Sequence, residues 1–102
     1  MPKGKASPYQ KGRSLEWKAK RELQSEGYLV IRSAGSKGPI DLVAVNRSCV
    51  RLIQVVKGSI PTRKLQALKN LPIPRGCTLE VWVARRKRAK GFVWDKRVVR
   101  AR

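Results

Sequence analysis

Glu16, Asp41 and Gln54 are the side chains of this sequence best suited to chemistry, because each carries an oxygen that can bind a hard cation. Asp41 opens the apolar run Leu42-Val43-Ala44-Val45, and Gln54 lies within a second run, Val50-Arg51-Leu52-Ile53-Gln54-Val55-Val56. Asn46-Arg47-Ser48-Cys49 separates the runs and reads as a tight turn, so together they predict a hairpin. A turn centred between Arg47 and Ser48 sets Val45 against Val50, Val43 against Leu52 and Asp41 against Gln54. Directly opposed side chains on one face stand roughly 4.5–5.5 Å apart at Cβ, which lets two oxygens share one cation. A carboxylate in an apolar strand is costly unless something binds it.

Glu16 belongs to a predicted helix from Gly12 to Gly27, with Ser14 as a cap, Leu15, Ala19 and Leu23 at helical spacing, and Gly27 as the stop. Its spacing from Ala19 and Leu23 puts it at the edge of the buried stripe. Helical geometry alone allows a surface pair with Lys20, worth about 0.3–0.5 kcal/mol, as readily as a role in a site. If the helix packs on the sheet beside Asp41 and Gln54, the three oxygens form a ligand set for Mg²⁺. That ion keeps several waters, one of which can attack a phosphodiester.

The elements that must position these groups follow in order. Tyr28–Arg32 reads as a first strand and Ser33–Pro39 as a Gly- and Ser-bearing loop able to approach a phosphate. Ile40–Asn46 and Cys49–Val56 are the hairpin strands. Thr62 is expected to cap a helix running to about Leu71, with Leu65 and Leu68 inward. Thr78–Ala84 alternates as a strand with Leu79, Val81 and Val83 opposite Trp82, and Phe92–Val99 is a last strand. This order predicts an α/β fold, a mixed sheet flanked by helices. Residues 1–11 are polar, basic and broken by Pro2, Gly4 and Pro8, so they read as a flexible basic tail before a single domain spanning 12–102.

Charge bounds the partner. Twenty-five Lys and Arg against six acids give +19 in 102 residues, a field that favours a polyanion, with nucleic acid the commonest for a compact domain. There is no histidine, which excludes Cys/His zinc modules, Ser-His-Asp triads and nucleases with a His base. Cys49 and Cys77 are isolated and read as reduced, structural thiols. No apolar run approaches the roughly 18 residues of a membrane span, and no signal peptide is visible, so a soluble, cytoplasmic protein without membrane contact is expected. Trp17, Trp82 and Trp94 read as core or interface anchors in preference to base-stacking platforms.

Lys11-Gly12 leading to Glu16, Arg32-Ser33-Ala34-Gly35-Ser36, Pro39-Ile40-Asp41-Leu42-Val43-Ala44 and Leu52-Ile53-Gln54-Val55 together resemble the archaeal-type Holliday junction resolvases of the PD-(D/E)xK nuclease superfamily. The likeness covers about Lys11 to Gly58. It implies the single-domain, restriction-endonuclease-like PD-(D/E)xK fold and a metal-dependent endonuclease that cuts four-way DNA junctions on paired strands as a homodimer. The implied cofactor is Mg²⁺, with Mn²⁺ also accepted, and the implied setting is a prokaryotic or virus-encoded protein. By the resemblance Glu16 and Asp41 are metal ligands, Gln54 stands where the family usually has Glu, and Ser36 is the loop serine near the scissile strand. The expected DNA contacts are Lys11, Arg13, Arg32, Ser36, Lys37 and the cationic run Arg85, Arg86, Lys87 and Arg88.

The resemblance also exposes a departure. The family lysine stands two residues after the Glu, where this chain has Val56. Lys57 is one position later and, by strand parity, on the opposite face. It joins the catalytic set only through a β-bulge, which Gly58 would permit; otherwise the chain is expected to bind metal and junctions but cleave slowly. Two other readings share the charge or the site: a non-enzymatic nucleic-acid-binding module, RNA- or ribosome-associated, and another PD-(D/E)xK nuclease of repair or defence. An acid inside the strongest apolar hairpin favours an enzyme over the pure binder.

Overall fold

The computed structural model describes residues 8–33, 39–87 and 91–102, with the side chains of 8–13 excepted. Helix α1 (Pro8–Ser25) is followed by strands β1 (Leu29–Arg32), β2 (Leu42–Val45) and β3 (Val50–Lys57), helix α2 (Thr62–Lys69), and strands β4 (Cys77–Arg86) and β5 (Phe92–Ala101). The order matches the sequence pattern, but the helix starts differ. Pro8 begins α1, as a residue with fixed φ and no N–H does well at a first helical position, so residues 8–11 are helical and not part of a tail. Ser14 therefore lies inside the helix and caps nothing. At α2 the N-cap is Pro61, without a side-chain cap, and Thr62 is already helical.

The end of α1 follows expectation. Gly27 has φ +94°, its N–H bonds to Gln24 O at 3.0 Å, and Tyr28 N–H bonds to Leu23 O at 3.1 Å. This paired closure satisfies the last carbonyls and turns the chain sharply into β1.

The five strands lie in chain order β1-β2-β3-β4-β5. All neighbours are antiparallel except β3 and β4, which are parallel and joined through α2. The hairpin register is the expected one, with Val45 opposite Val50 and Val43 opposite Leu52. Asn46 Oδ1 accepts from the N–H groups of Ser48 and Cys49 at 2.8 and 2.9 Å, which pins the turn and so the register.

Each face of the sheet carries its own core. Ala19 and Leu23 of α1 close over Val30, Leu42, Ala44, Ile53 and Trp82. On the other face Leu68 and Leu65 of α2 close over Leu79, Val81, Val83, Leu52 and Val56. β4 is buried on both faces, and its alternation sends Trp82 to the α1 side and Leu79, Val81 and Val83 to the α2 side. No helix among the described residues is long and apolar enough to cross a membrane.

Candidate metal and nucleic-acid site

The site lies where β2 parts from β3. The N–H of Asp41 donates to Ile53 O at 2.9 Å, continuing the ladder just before β2 begins. The next donor along β3, the N–H of Val55, receives no strand partner from β2; Asp41 Oδ2 accepts it at 2.7 Å. Gln54 Nε2 donates to the same oxygen at 2.8 Å. The carboxylate thus completes an open ladder while its other oxygen accepts from no described residue. Gln54 is 7% exposed and shares the α2 face with Leu52 and Val56.

Asp41 is electrostatically exposed to change. Burial raises its carboxyl from the usual range to about 6; the Val55 N–H opposes the rise, the negative charge of Glu16 adds to it, and the positive charge of Lys64 opposes it. In a chain of charge +19, Glu16, Glu22, Glu26, Glu80 and Asp95 each have a Lys or Arg nitrogen at ion-pair distance. Among the described residues Asp41 alone has none.

Glu16 reaches this end of the sheet from the opposite layer. It sits at the edge of the α1 stripe as the spacing predicts, but its partner is Arg32, whose Nη1 lies 3.2 Å from Glu16 Oε1, and not Lys20. Lys20 lies instead 4.5 Å from the ring centre of Trp17, and the Arg32 guanidinium is 5.4 Å from the same ring. Trp17 is 40% exposed, whereas Trp82 is buried and Trp94 packs against it with ring centres 5.5 Å apart. The anchor reading holds for Trp82 and Trp94, while Trp17 stands at the surface beside the site.

Lys57 is not in the site. The β3–β4 register runs without interruption from Val50 to Lys57, so no bulge turns that residue, and strand parity leaves Lys57 on the α1 side with Ile53 and Val55. Gly58 takes φ +81° only after the strand has ended. Val56, on the face of Gln54, packs into the α2 core.

Arg85, Arg86 and Lys87 are exposed at the end of β4, which lies at the same end of the sheet as the close of the parallel strand β3. Arg85 is tied to Asp95 at 2.9 Å. Ser36, Lys37 and Arg88 lie outside the described residues; Lys11 and Arg13 lie in α1, their side chains outside them too. The sequence pattern missed Lys64, on α2, and a buried polar cluster on the α1 face. There Arg51 makes paired bonds of 2.7 and 2.8 Å to Glu80, which also accepts from Thr78 and Trp82. Burial would raise the Glu80 carboxyl, but those donors together hold it below its usual range.

The donor chemistry fits a hard divalent cation. Asp41 offers an oxygen that accepts from no described residue, Gln54 a carbonyl oxygen, and Glu16 a second negative charge whose repulsion on Asp41 a cation would relieve. Among the described residues no three His, Cys, Asp or Glu side chains gather to hold a metal, so a three-donor set here would need the amide of Gln54.

The fold is that of the PD-(D/E)xK nucleases: a mixed sheet with a helix on each face and the Asp41–Gln54 pair at the parting of its central hairpin. In both sequence and fold the chain is similar to archaeal Holliday junction resolvases. It is 50% identical over 46 residues to the crossover junction endodeoxyribonuclease Hjc of Methanocaldococcus jannaschii, a match spanning 45% of this chain and 34% of that protein. It superimposes on Hjc of Archaeoglobus fulgidus, a Holliday junction resolvase, with a TM-score of 0.66 and 26% identity over 87% of this chain and 73% of the other. No protein-family model matches.

Proposed function

We propose that this chain is a metal-dependent, structure-selective DNA endonuclease that resolves four-way junctions by paired phosphodiester hydrolysis, acting as a homodimer in the cytoplasm of a prokaryote or from a viral genome. The observation that carries the reading is the lone carboxylate. In so basic a protein, evolution of a mere binder has no use for a desolvated Asp41 that no described cation neutralises.

Asp41, Gln54 and Glu16 would hold the ion, Mg²⁺ or Mn²⁺. When bound, such an ion activates water and offsets charge on the phosphodiester. The remaining work falls to the chain. The Val55 N–H and Gln54 amide fix one oxygen of Asp41 and so aim the other. Glu16 and the face of Trp17 hold the Arg32 guanidinium in place, a placement suited to a backbone phosphate. The exposed Arg86 and Lys87 extend the cationic surface along the same end of the sheet.

The test is cleavage of a labelled four-way junction in Mg²⁺, Mn²⁺ or EDTA, beside linear, nicked and flap DNA, with Asp41→Asn as control. Paired nicks confined to the junction, dependent on metal and lost in Asp41→Asn, support the reading. Equal cutting of all substrates points to another nuclease of the same superfamily. A second reading, junction binding without cleavage, is favoured by one feature: the family lysine position is the apolar, packed Val56, with Lys57 on the far face. Tight binding with no cutting in any metal would select it. Sedimentation of the protein alone and with junction reads the dimer.

A further inference from the structure

We infer that Lys64, on α2, is the cation that faces the scissile phosphate, taking the part that neither Val56 nor Lys57 can play. The inference rests on the nuclease reading above and adds a catalytic residue to it.

The geometry starts from the face on which the site is built. Val56 joins the α2 core and strand parity puts Gln54 on the same face, so α2 is the helix able to supply a cation on that face. The Leu65 and Leu68 side chains share one core cluster with Val56, Ile60 and Ile40, the residue before Asp41. The core under α2 therefore reaches the neighbours of Asp41 and Gln54 in sequence, Ile40 and Val56. Lys64 lies one helical turn before the fully buried Leu68, on the same side of the helix. Lys64 itself is exposed, as a lysine that is to meet an incoming strand must be. Arg63 falls on the outward side, and Lys69 at the far end of the helix.

Electrostatics agree with the placement. The charge of Lys64 is felt at Asp41, where it favours the ionised carboxylate. Among the described residues Lys64 forms no ion pair with Asp41. In the reaction a water oxygen bonds to phosphorus, the bond from phosphorus to the leaving sugar oxygen breaks, and the proton lost by the water is balanced by one gained at that oxygen from solvent. The ammonium offsets the negative charge that builds on the non-bridging oxygens as this happens.

The experiment compares the unmodified chain with Lys64→Met, Lys64→Arg, Val56→Lys and the double variant Val56→Lys/Lys64→Met. Single-turnover junction cleavage and junction affinity are both read. Acetylation of Lys64 and of Lys69 is measured by mass spectrometry, free and bound to junction in Ca²⁺. Lys64→Met is expected to slow cleavage about 100-fold, a typical cost of removing one charge-stabilising donor, with affinity changed less than about 3-fold. Lys64→Arg should retain much of the rate, and Val56→Lys should restore cleavage to the double variant. Bound junction should protect Lys64 and leave Lys69 reactive.

Cleavage unchanged in Lys64→Met overturns the inference, as does Lys64 remaining as reactive in the complex as in the free protein. If no variant cuts, Val56→Lys included, the nuclease reading itself fails. Protection then decides separately whether Lys64 meets DNA: an unprotected Lys64 overturns its placement, and a protected one supports it.

Discussion

Gln54 turns its amide nitrogen, not its oxygen, toward Asp41, donating to Oδ2 at 2.8 Å. A glutamate in its place would set a second carboxylate against the first. Gln54→Glu should therefore tighten Mn²⁺ binding by about tenfold or more, since an added negative ligand strengthens a hard-cation site. In EDTA the same variant should be less stable by about 1–3 kcal/mol, from the lost hydrogen bond and the like-charge contact. Calorimetric titration with Mn²⁺ and urea unfolding in EDTA check the two halves.

Asp41 gives the metal-free protein a pH signature. A carboxyl raised from 3.8 to about 6 binds more protons folded than unfolded between those values. Its contribution to stability is thus fully present below about 4 and is lost as pH rises through 6. Asp41→Asn removes that loss. At pH 7 in EDTA it should be more stable than the unmodified protein by about 1–2 kcal/mol, below the full conversion of the shift because the group is partly solvated. The difference should vanish near pH 4. Denaturant unfolding of both proteins across this range measures it, and an advantage that grows on acidification would refute the assignment.

Arg51 and Glu80 test the scaffold beneath the site. The Glu80 side chain is 5% exposed and Arg51 18%, so removing one partner strands the other charge. Glu80→Ala should cost about 3–5 kcal/mol, whereas Arg51→Met/Glu80→Met together should cost much less. Urea unfolding of the two variants separates the cost of a stranded ion from the worth of the pair.

Salt should reveal the phosphate contacts. Junction affinity is expected to fall on the order of 10³-fold between about 50 and 200 mM salt, as for proteins that neutralise several phosphates. Arg86→Ala/Lys87→Ala should lower the log–log slope by about two. Fluorescence anisotropy at graded salt is sufficient, and an unchanged slope would remove this strand end from the interface.

The local features of this fold were legible because they depend on neighbours in the chain. Alternating apolar residues and the Asn46 turn specify the hairpin and its register, and that register places Asp41 beside Gln54. Gly27 specifies the stop of α1, and the excess of basic residues points to a polyanion. Strand parity alone put Lys57 on the wrong face, and the unbroken β3–β4 register confirms it.

What depended on packing of distant elements was settled only in three dimensions. Glu16 had two partners available by spacing, and the layer arrangement chose Arg32, a residue of another element, over Lys20. Glu80 reads as an ordinary strand acid with Thr78 and Trp82 as same-face neighbours on its own strand, but it meets Arg51 because β3 and β4 run parallel at that register. Lys64 carries no signal in sequence: one lysine among 25 basic residues, it matters because the crossover between parallel strands lays α2 on the face of Gln54. The sequence by itself determined the pairing of Asp41 with Gln54, since two adjacent strands and one turn align it. Which helix covers the face of that pair is a property of the crossover, and only the tertiary structure decided it.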